Sequence, residues 1–218
     1  SVLSEVGIIP AYLMGANIFK LRHKIKDCLS AKRRASLRNN TIKMAKFIKS
    51  KKTNNLIFLN YAPELEKFLY WYQQLIAESL GKKNKGFLPV ISNVPKDHHS
   101  LLQLYLDGPR DKFFVIFTCE DKSINTIDVK SEIFKKNIFN KKKFSTIKSA
   151  QKNALIKAFK NKKKCCREFK IKKNNEETLG KLFAYFILET ILIGKLVNIN
   201  PFNQPAVEVV KKFTKQLL

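Results

Sequence analysis

The chain has little arginine, few acids, few cysteines and no long apolar run, and each shortage excludes something. Only 6 of its 43 basic residues are arginines, and 17 acids leave a formal net charge of +26. Clustered cations displace counterions from phosphate backbones, so such a charge invites a nucleic-acid reading. The groups that read guanine edges or clamp phosphates two-handed are usually arginines, however. Lysine among abundant isoleucine, asparagine and phenylalanine is what a strongly AT-rich genome writes on a solvated surface. We read the charge mainly that way, with attraction of phosphorylated small molecules second and no nucleic-acid partner expected.

The four cysteines, Cys28, Cys119, Cys165 and Cys166, show neither CxxC spacing nor a disulfide framework, which fits a reducing cytoplasm. With three histidines and no thiolate cluster, neither a metal site nor a cofactor is expected. Ser1 opens directly into an amphipathic pattern without a basic leader, so no secretory signal is expected. The most apolar stretch, LFAYFILETILI at 182–193, contains Glu189 and is too short to span a membrane. It reads as a buried helix.

What is present is core-forming material. A 44% apolar chain of 218 residues with 17 phenylalanines should fold as a globular domain. Residues 1–50 read as helix with a kink or break at Pro10. NLIFLNY (55–61) reads as a strand, Leu65 to Leu80 as a helix stopped by Gly81, and GFLPVIS (86–92) as a second strand. A helix over 95–106 with Asp97 as N-cap precedes the strongest strand, KFFVIFTCE at 112–120. Further on, 145–161 reads as helix, 167–173 as an edge strand, 176–199 as a buried helix, and a last helix starts near Pro205. Strands alternating with helices predict an α/β fold with a parallel sheet covered on both faces.

In such sheets ligands bind at the carboxyl ends of strands. AESLGK (77–82) and KDHHS (96–100) are expected there, with NPFNQPAVEVVK (200–211) as a third polar group able to converge with them. Glu78 is a carboxylate in the last turn of an apolar helix, where burial and the negative helix end would tune it toward a general base. From position alone, a solvent-facing charge beside Lys82 and Lys83 is the more ordinary reading. His98 and His99 are adjacent, so their side chains diverge by about 100° on a helix and cannot enter one site as a pair. Lys211 stands three residues after Glu208, close enough for an ion pair on one helical face; it could instead donate to a sugar oxygen.

Together, and in this order, these stretches resemble the phosphoglucose isomerase (glucose-6-phosphate isomerase) family. GKLVNINPFNQPAVEVVK (194–211) matches the family's C-terminal signature: glycine, two apolar residues, four spacers, an aromatic, Asn/Asp, Gln, a small residue, Val-Glu, two spacers and Lys. WYQQLIAESLGK looks like the helix bearing the catalytic glutamate, DHHSLLQLYLDGPRDKFFVIF like the histidine segment, and SVLSEVGIIPA like the tail of the family's other signature.

The resemblance implies a parallel-sheet sugar-isomerase (SIS, flavodoxin-like) domain with flanking N- and C-terminal helices. It would fill 1–218 as the C-terminal part of a longer enzyme, with a helical lead-in at 1–50, an α/β core at 55–175 and C-terminal helices at 176–218. It implies interconversion of glucose 6-phosphate and fructose 6-phosphate, with Glu78 as the base, His99 and Lys211 assisting ring opening, and Gln204 contacting the substrate. It also implies a homodimer in which His99 reaches the neighbouring subunit's site. Asn203 stands for a commoner aspartate, Ala206 for a commoner glycine and His98 for a commoner glutamine. Just upstream of the Ser1 position the family carries Gly-Gly-Arg and an aromatic. The alternative is a sugar-phosphate-binding regulatory domain of the same fold.

Overall fold

The computed structural model describes residues 2–120 and 142–218; the part of the expected α/β core at 121–141 lies outside them. The helices are α1 (Glu5–Leu13), α2 (Ile18–His23), α3 (Ala31–Ser50), α4 (Glu66–Leu80), α5 (Lys96–Asp107), α6 (Phe144–Asn161), α7 (Glu176–Leu196) and α8 (Pro205–Leu217). The strands are β1 (Asn55–Asn60), β2 (Leu88–Asn93), β3 (Lys112–Cys119) and β4 (Cys166–Ile171). By internal contacts the chain divides into two units. One holds Ser1–Asn54, Tyr70–Pro89 and Glu176–Leu218, the other Asn55–Leu69 and Val90–Asn175.

The second unit is built on a four-stranded parallel sheet in the order β2-β1-β3-β4. That is the flavodoxin-like arrangement, with its switch point between β1 and β3. β1 pairs with β3 from Asn55↔Lys112 to Asn60↔Phe117, and β4 closes the other side as an edge. Leu56–Asn60 and Phe113–Thr118 are buried throughout, as strands covered on both faces must be. On one face Ile57, Leu59, Phe114 and Ile116 pack with Tyr105 of α5 and Leu155 and Phe159 of α6. Phe114 lies 4.4 Å, ring centre to ring centre, from Phe159 and 5.3 Å from Tyr105. Each such ring removes enough apolar surface from water to contribute about 1.5–3 kcal/mol.

The first unit is helical and centres on α7. Gly180 lets α7 press directly against the main chain of α2, because a Cβ there would collide with the Leu21 carbonyl. Tyr72 stacks on Phe186 at 4.0 Å and Trp71 meets Phe183 edge-on at 4.6 Å, which seats the second half of α4 on α7. Glu189 is completely buried, and the hydroxyls of Tyr72 and Tyr185 each donate to its carboxylate at 3.4 Å. Asn40 of α3 donates in turn to the Tyr185 hydroxyl at 2.8 Å. Among the described residues no helix is long and apolar enough to cross a membrane.

Three expectations need correcting. Residues 1–50 are three helices and a 3-10 turn, not one kinked helix. Pro10 sits inside α1, and the chain breaks instead at Gly15, whose φ of 87° a helix does not accommodate. Asp97 is not an N-cap: Pro95 holds that position, and the Asp97 carboxylate accepts from Ser92 Oγ at 2.9 Å. β2 starts at Leu88 rather than at Gly86, because Gly86 has a φ of 115° and no room for a Cβ against the Leu80 carbonyl.

Candidate functional site

Glu78 lies in the last turn of α4 with its side chain exposed, where it accepts from Gln74 Nε2 at 3.0 Å, one helical turn back. The burial expected around it is not supplied by the described residues. Its loop is also not at the carboxyl end of a strand. A helix joining two parallel strands runs back along them, so 81–87 leads into the amino end of β2. KDHHS, by contrast, does follow the carboxyl end of β2.

Past Gly81 the chain makes a tight turn in which Lys82 and Lys85 bridge and Lys83 and Asn84 take positive φ. The turn sends two ammonium groups toward the connector between α7 and α8. Lys85 Nζ donates to the Val197 carbonyl at 3.0 Å, and Lys82 Nζ donates to the Asn200 carbonyl at 2.6 Å and approaches Asn203 Oδ1 at 3.4 Å. Partial burial draws the Lys82 ammonium below its ordinary pKa.

Each asparagine of the connector NINPFNQP has a separate task. Asn198 adopts the left-handed conformation at φ 57°, its N–H bonds the Lys195 carbonyl, and the Ile199 N–H reaches back to Gly194 at 2.9 Å. That is a Schellman ending for α7. Asn200 Oδ1 accepts from the Phe202 N–H at 3.0 Å, an Asx turn. Asn203 faces Lys82, Gln204 precedes Pro205 at the first position of α8, and buried Val197 and Ile199 anchor the segment. Gln204 is exposed. One turn along α8, the expected ion pair forms, with Lys211 Nζ 2.8 Å from Glu208 Oε1 and both side chains well exposed. Two of the three polar groups are therefore tied together within one unit, AESLGK and NPFNQPAVEVVK, through Lys82.

The third group belongs to the other unit. At the start of α5 the two histidines diverge as helical geometry requires: His99 is exposed, whereas His98 Nε2 lies 2.9 Å from the Tyr61 hydroxyl, just beyond β1. The two rings meet edge to face at 5.8 Å. Burial lowers the His98 pKa, against a smaller opposing pull from Asp97, and burial likewise raises that of Tyr61. The lowered pKa favours the neutral imidazole, which shares a hydrogen bond with the Tyr61 hydroxyl. Around it Asn60 bonds Asn93 at 3.2 Å and the Ala62 N–H at 3.0 Å, while Asn93 donates to Glu66 at 2.9 Å. This network stitches the carboxyl ends of β1 and β2. The order of the residues in the chain gives no hint of the Tyr61–His98 bond or the Lys82 contacts. Among the described residues no group of three or more His, Cys, Asp or Glu could hold a metal ion.

Comparison with known proteins places the chain. Glucose-6-phosphate isomerase of Methanocaldococcus jannaschii is 32% identical over 229 residues, a match covering all of this chain and 55% of that protein. The enzyme of Mycoplasmopsis synoviae is 34% identical over 224 residues, covering 97% of this chain and 51% of that protein. Among solved structures, a hypothetical protein from Thermus thermophilus superposes with a TM-score of 0.84 at 25% identity, over 99% of this chain and 54% of that one. A glucose-6-phosphate isomerase from Chlamydia trachomatis shares the fold, with a TM-score of 0.75 at 17% identity over all of this chain and 46% of that one. No protein-family model matches. The chain spans about half the length of the curated relatives it matches.

Proposed function

The chain belongs to the glucose-6-phosphate isomerase family, and from that premise we propose that the protein carrying it interconverts glucose 6-phosphate and fructose 6-phosphate, with these residues supplying the proton-transfer groups. The two sugars are isomers, so the reaction needs no external oxidant. One proton must move between C2 and C1. Glu78 as carboxylate takes the C2 proton of the open-chain aldose, the C–H electron pair becomes the C1=C2 double bond, and the aldehyde oxygen gains a proton. The resulting cis-enediol collapses to the ketose when Glu78 returns its proton to C1 and the 2-hydroxyl loses its own. A positioned base of this kind accounts for about 10²–10⁴ in rate.

The remaining roles follow the same reading. His99, exposed on the first turn of α5, exchanges a proton with the ring oxygen as the sugar opens. Lys211, oriented by Glu208, assists it, and Gln204 at the start of α8 is a binding contact. We further take 1–218 as a single sugar-isomerase-type domain of a longer cytoplasmic homodimer, with His99 serving the neighbouring subunit's site. The observation that carries the reading is the bonding of Lys82 to the connector. It ties the helix of the proposed base to the start of the helix that bears Gln204 and Lys211.

The test is to run the isomerisation in D₂O and follow the sugar by NMR. A proton that passes through a solvent-exchangeable carboxylate introduces deuterium at the receiving carbon, and Glu78→Gln should lose both exchange and turnover. Exchange and turnover undiminished in Glu78→Gln would refute the assignment.

A further inference from the structure

Between α4 and β2 the chain spends two lysines on carbonyl oxygens rather than on solvent. Lys85 covers the Val197 carbonyl, one of the last acceptors of α7, where a cation is favoured by the helix end. Lys82 covers the Asn200 carbonyl at 2.6 Å and faces Asn203 Oδ1 at 3.4 Å. Lys83 between them is exposed. The first half of the connector is held by α7, through the Asn198 and Ile199 N–H bonds to the Lys195 and Gly194 carbonyls and the close approach of Pro201 to Gly194, whereas the Asn200 side-chain bond is local to the turn and α8 buries none of its residues. To these anchors and the buried side chains Val197 and Ile199, Lys82 and Lys85 add a direct link from the turn after α4, and Lys82 is the one that reaches the Asn200–Asn203 half leading into α8.

We propose that Lys82 is a positioning residue of the isomerase: by holding the Asn200–Asn203 turn, it sets Gln204 and Lys211 relative to the helix that carries Glu78. The proposal rests on the function assigned above and adds a residue to it. Lys82 touches neither substrate nor reacting atoms; it acts through the turn. Proton transfer is steep in distance, and displacing a positioned group by about 1 Å costs on the order of 10²-fold in rate. Loss of Lys82 is therefore expected to fall mainly on kcat, since the turn sets the proton-transfer groups Glu78 and Lys211 relative to one another.

The experiment compares Lys82→Met, Lys82→Arg and, as a charge-matched control, Lys83→Met in the full protein that carries the chain. Two readouts are taken: steady-state isomerisation of fructose 6-phosphate, and amide hydrogen exchange at Phe202 and Val207, whose N–H groups bond Asn200 Oδ1 and the Gln204 carbonyl. The expected result is faster exchange at both amides in Lys82→Met, kcat reduced about 10–10²-fold with KM within about twofold, recovery in Lys82→Arg, and no change in Lys83→Met. Unchanged exchange in Lys82→Met overturns the clasp. Faster exchange with unchanged kcat overturns its part in positioning. An inactive wild type would sink the functional reading and the catalytic claim with it, while the exchange comparison would still report on the clasp by itself.

Discussion

His98 and His99 show how much one step along a helix changes. The first turns inward to share a hydrogen bond with Tyr61; the second is exposed at the surface. Because burial lowers the His98 pKa in the folded state, the unfolded chain binds more protons there once the pH drops below the ordinary histidine value of about 6.5. Stability from this group is full above that pH and is lost as the pH falls through the folded value. Glutamine cannot titrate. Thermal melts of His98→Gln should accordingly lose less stability between pH 7.5 and pH 5 than those of the wild type. Equal losses would mean that His98 is not held neutral. The Glu208–Lys211 pair makes the opposite case. Both partners are exposed, and such pairs add little to stability. Glu208→Gln should leave the melting midpoint unchanged yet lower the isomerisation rate, because what it removes is the orientation of Lys211. A lowered midpoint with an unaltered rate would make the pair a structural one.

Among the elements, α7 ties the helical unit together and offers the sharpest stability test. A methyl group on Gly180 would strike the Leu21 carbonyl of α2, and since that obstacle is main chain, the helices must separate. Gly180→Ala should cost about 1–3 kcal/mol by urea denaturation; an unchanged midpoint would show that the close approach is absent. The elements most legible in the sequence are those whose own residues decide them. β1 and β3 are apolar on both faces, which only a sheet covered on both sides satisfies, and the α4 stripe from Phe68 to Ile76 repeats at helical spacing. The features missed are set by single backbone angles and by side-chain partners, near or far, that no periodicity encodes. No periodicity reveals that the first 50 residues break at Gly15, that Asp97 answers Ser92, or that Lys82 closes on a carbonyl 118 residues away. In a chain with 37 lysines, the two that bind the connector look like the rest. Glu78, His99, Gln204 and Lys211 stand out because residue type and order match a known signature; spacing alone leaves each of them with an ordinary surface reading.

For the molecule as a whole, the proposed residues come from two units: Glu78, Gln204 and Lys211 from the helical one, His99 from the sheet-bearing one. The α/β sugar-isomerase fold expected from the sequence is the fold observed, with its parallel sheet in the flavodoxin-like order. The chain's relatives are about twice its length, and the proposed isomerisation is that of the protein that carries the chain. The most direct measurement of that claim is the conversion of fructose 6-phosphate to glucose 6-phosphate by that protein, wild type beside Glu78→Gln, with folding of both verified by circular dichroism. The account predicts an active wild type and a variant slowed by about 10²–10⁴ in kcat, with KM little changed. A variant as active as the wild type, or a folded wild type that converts nothing, would contradict it; the second outcome is the one a sugar-phosphate-binding regulatory domain would give.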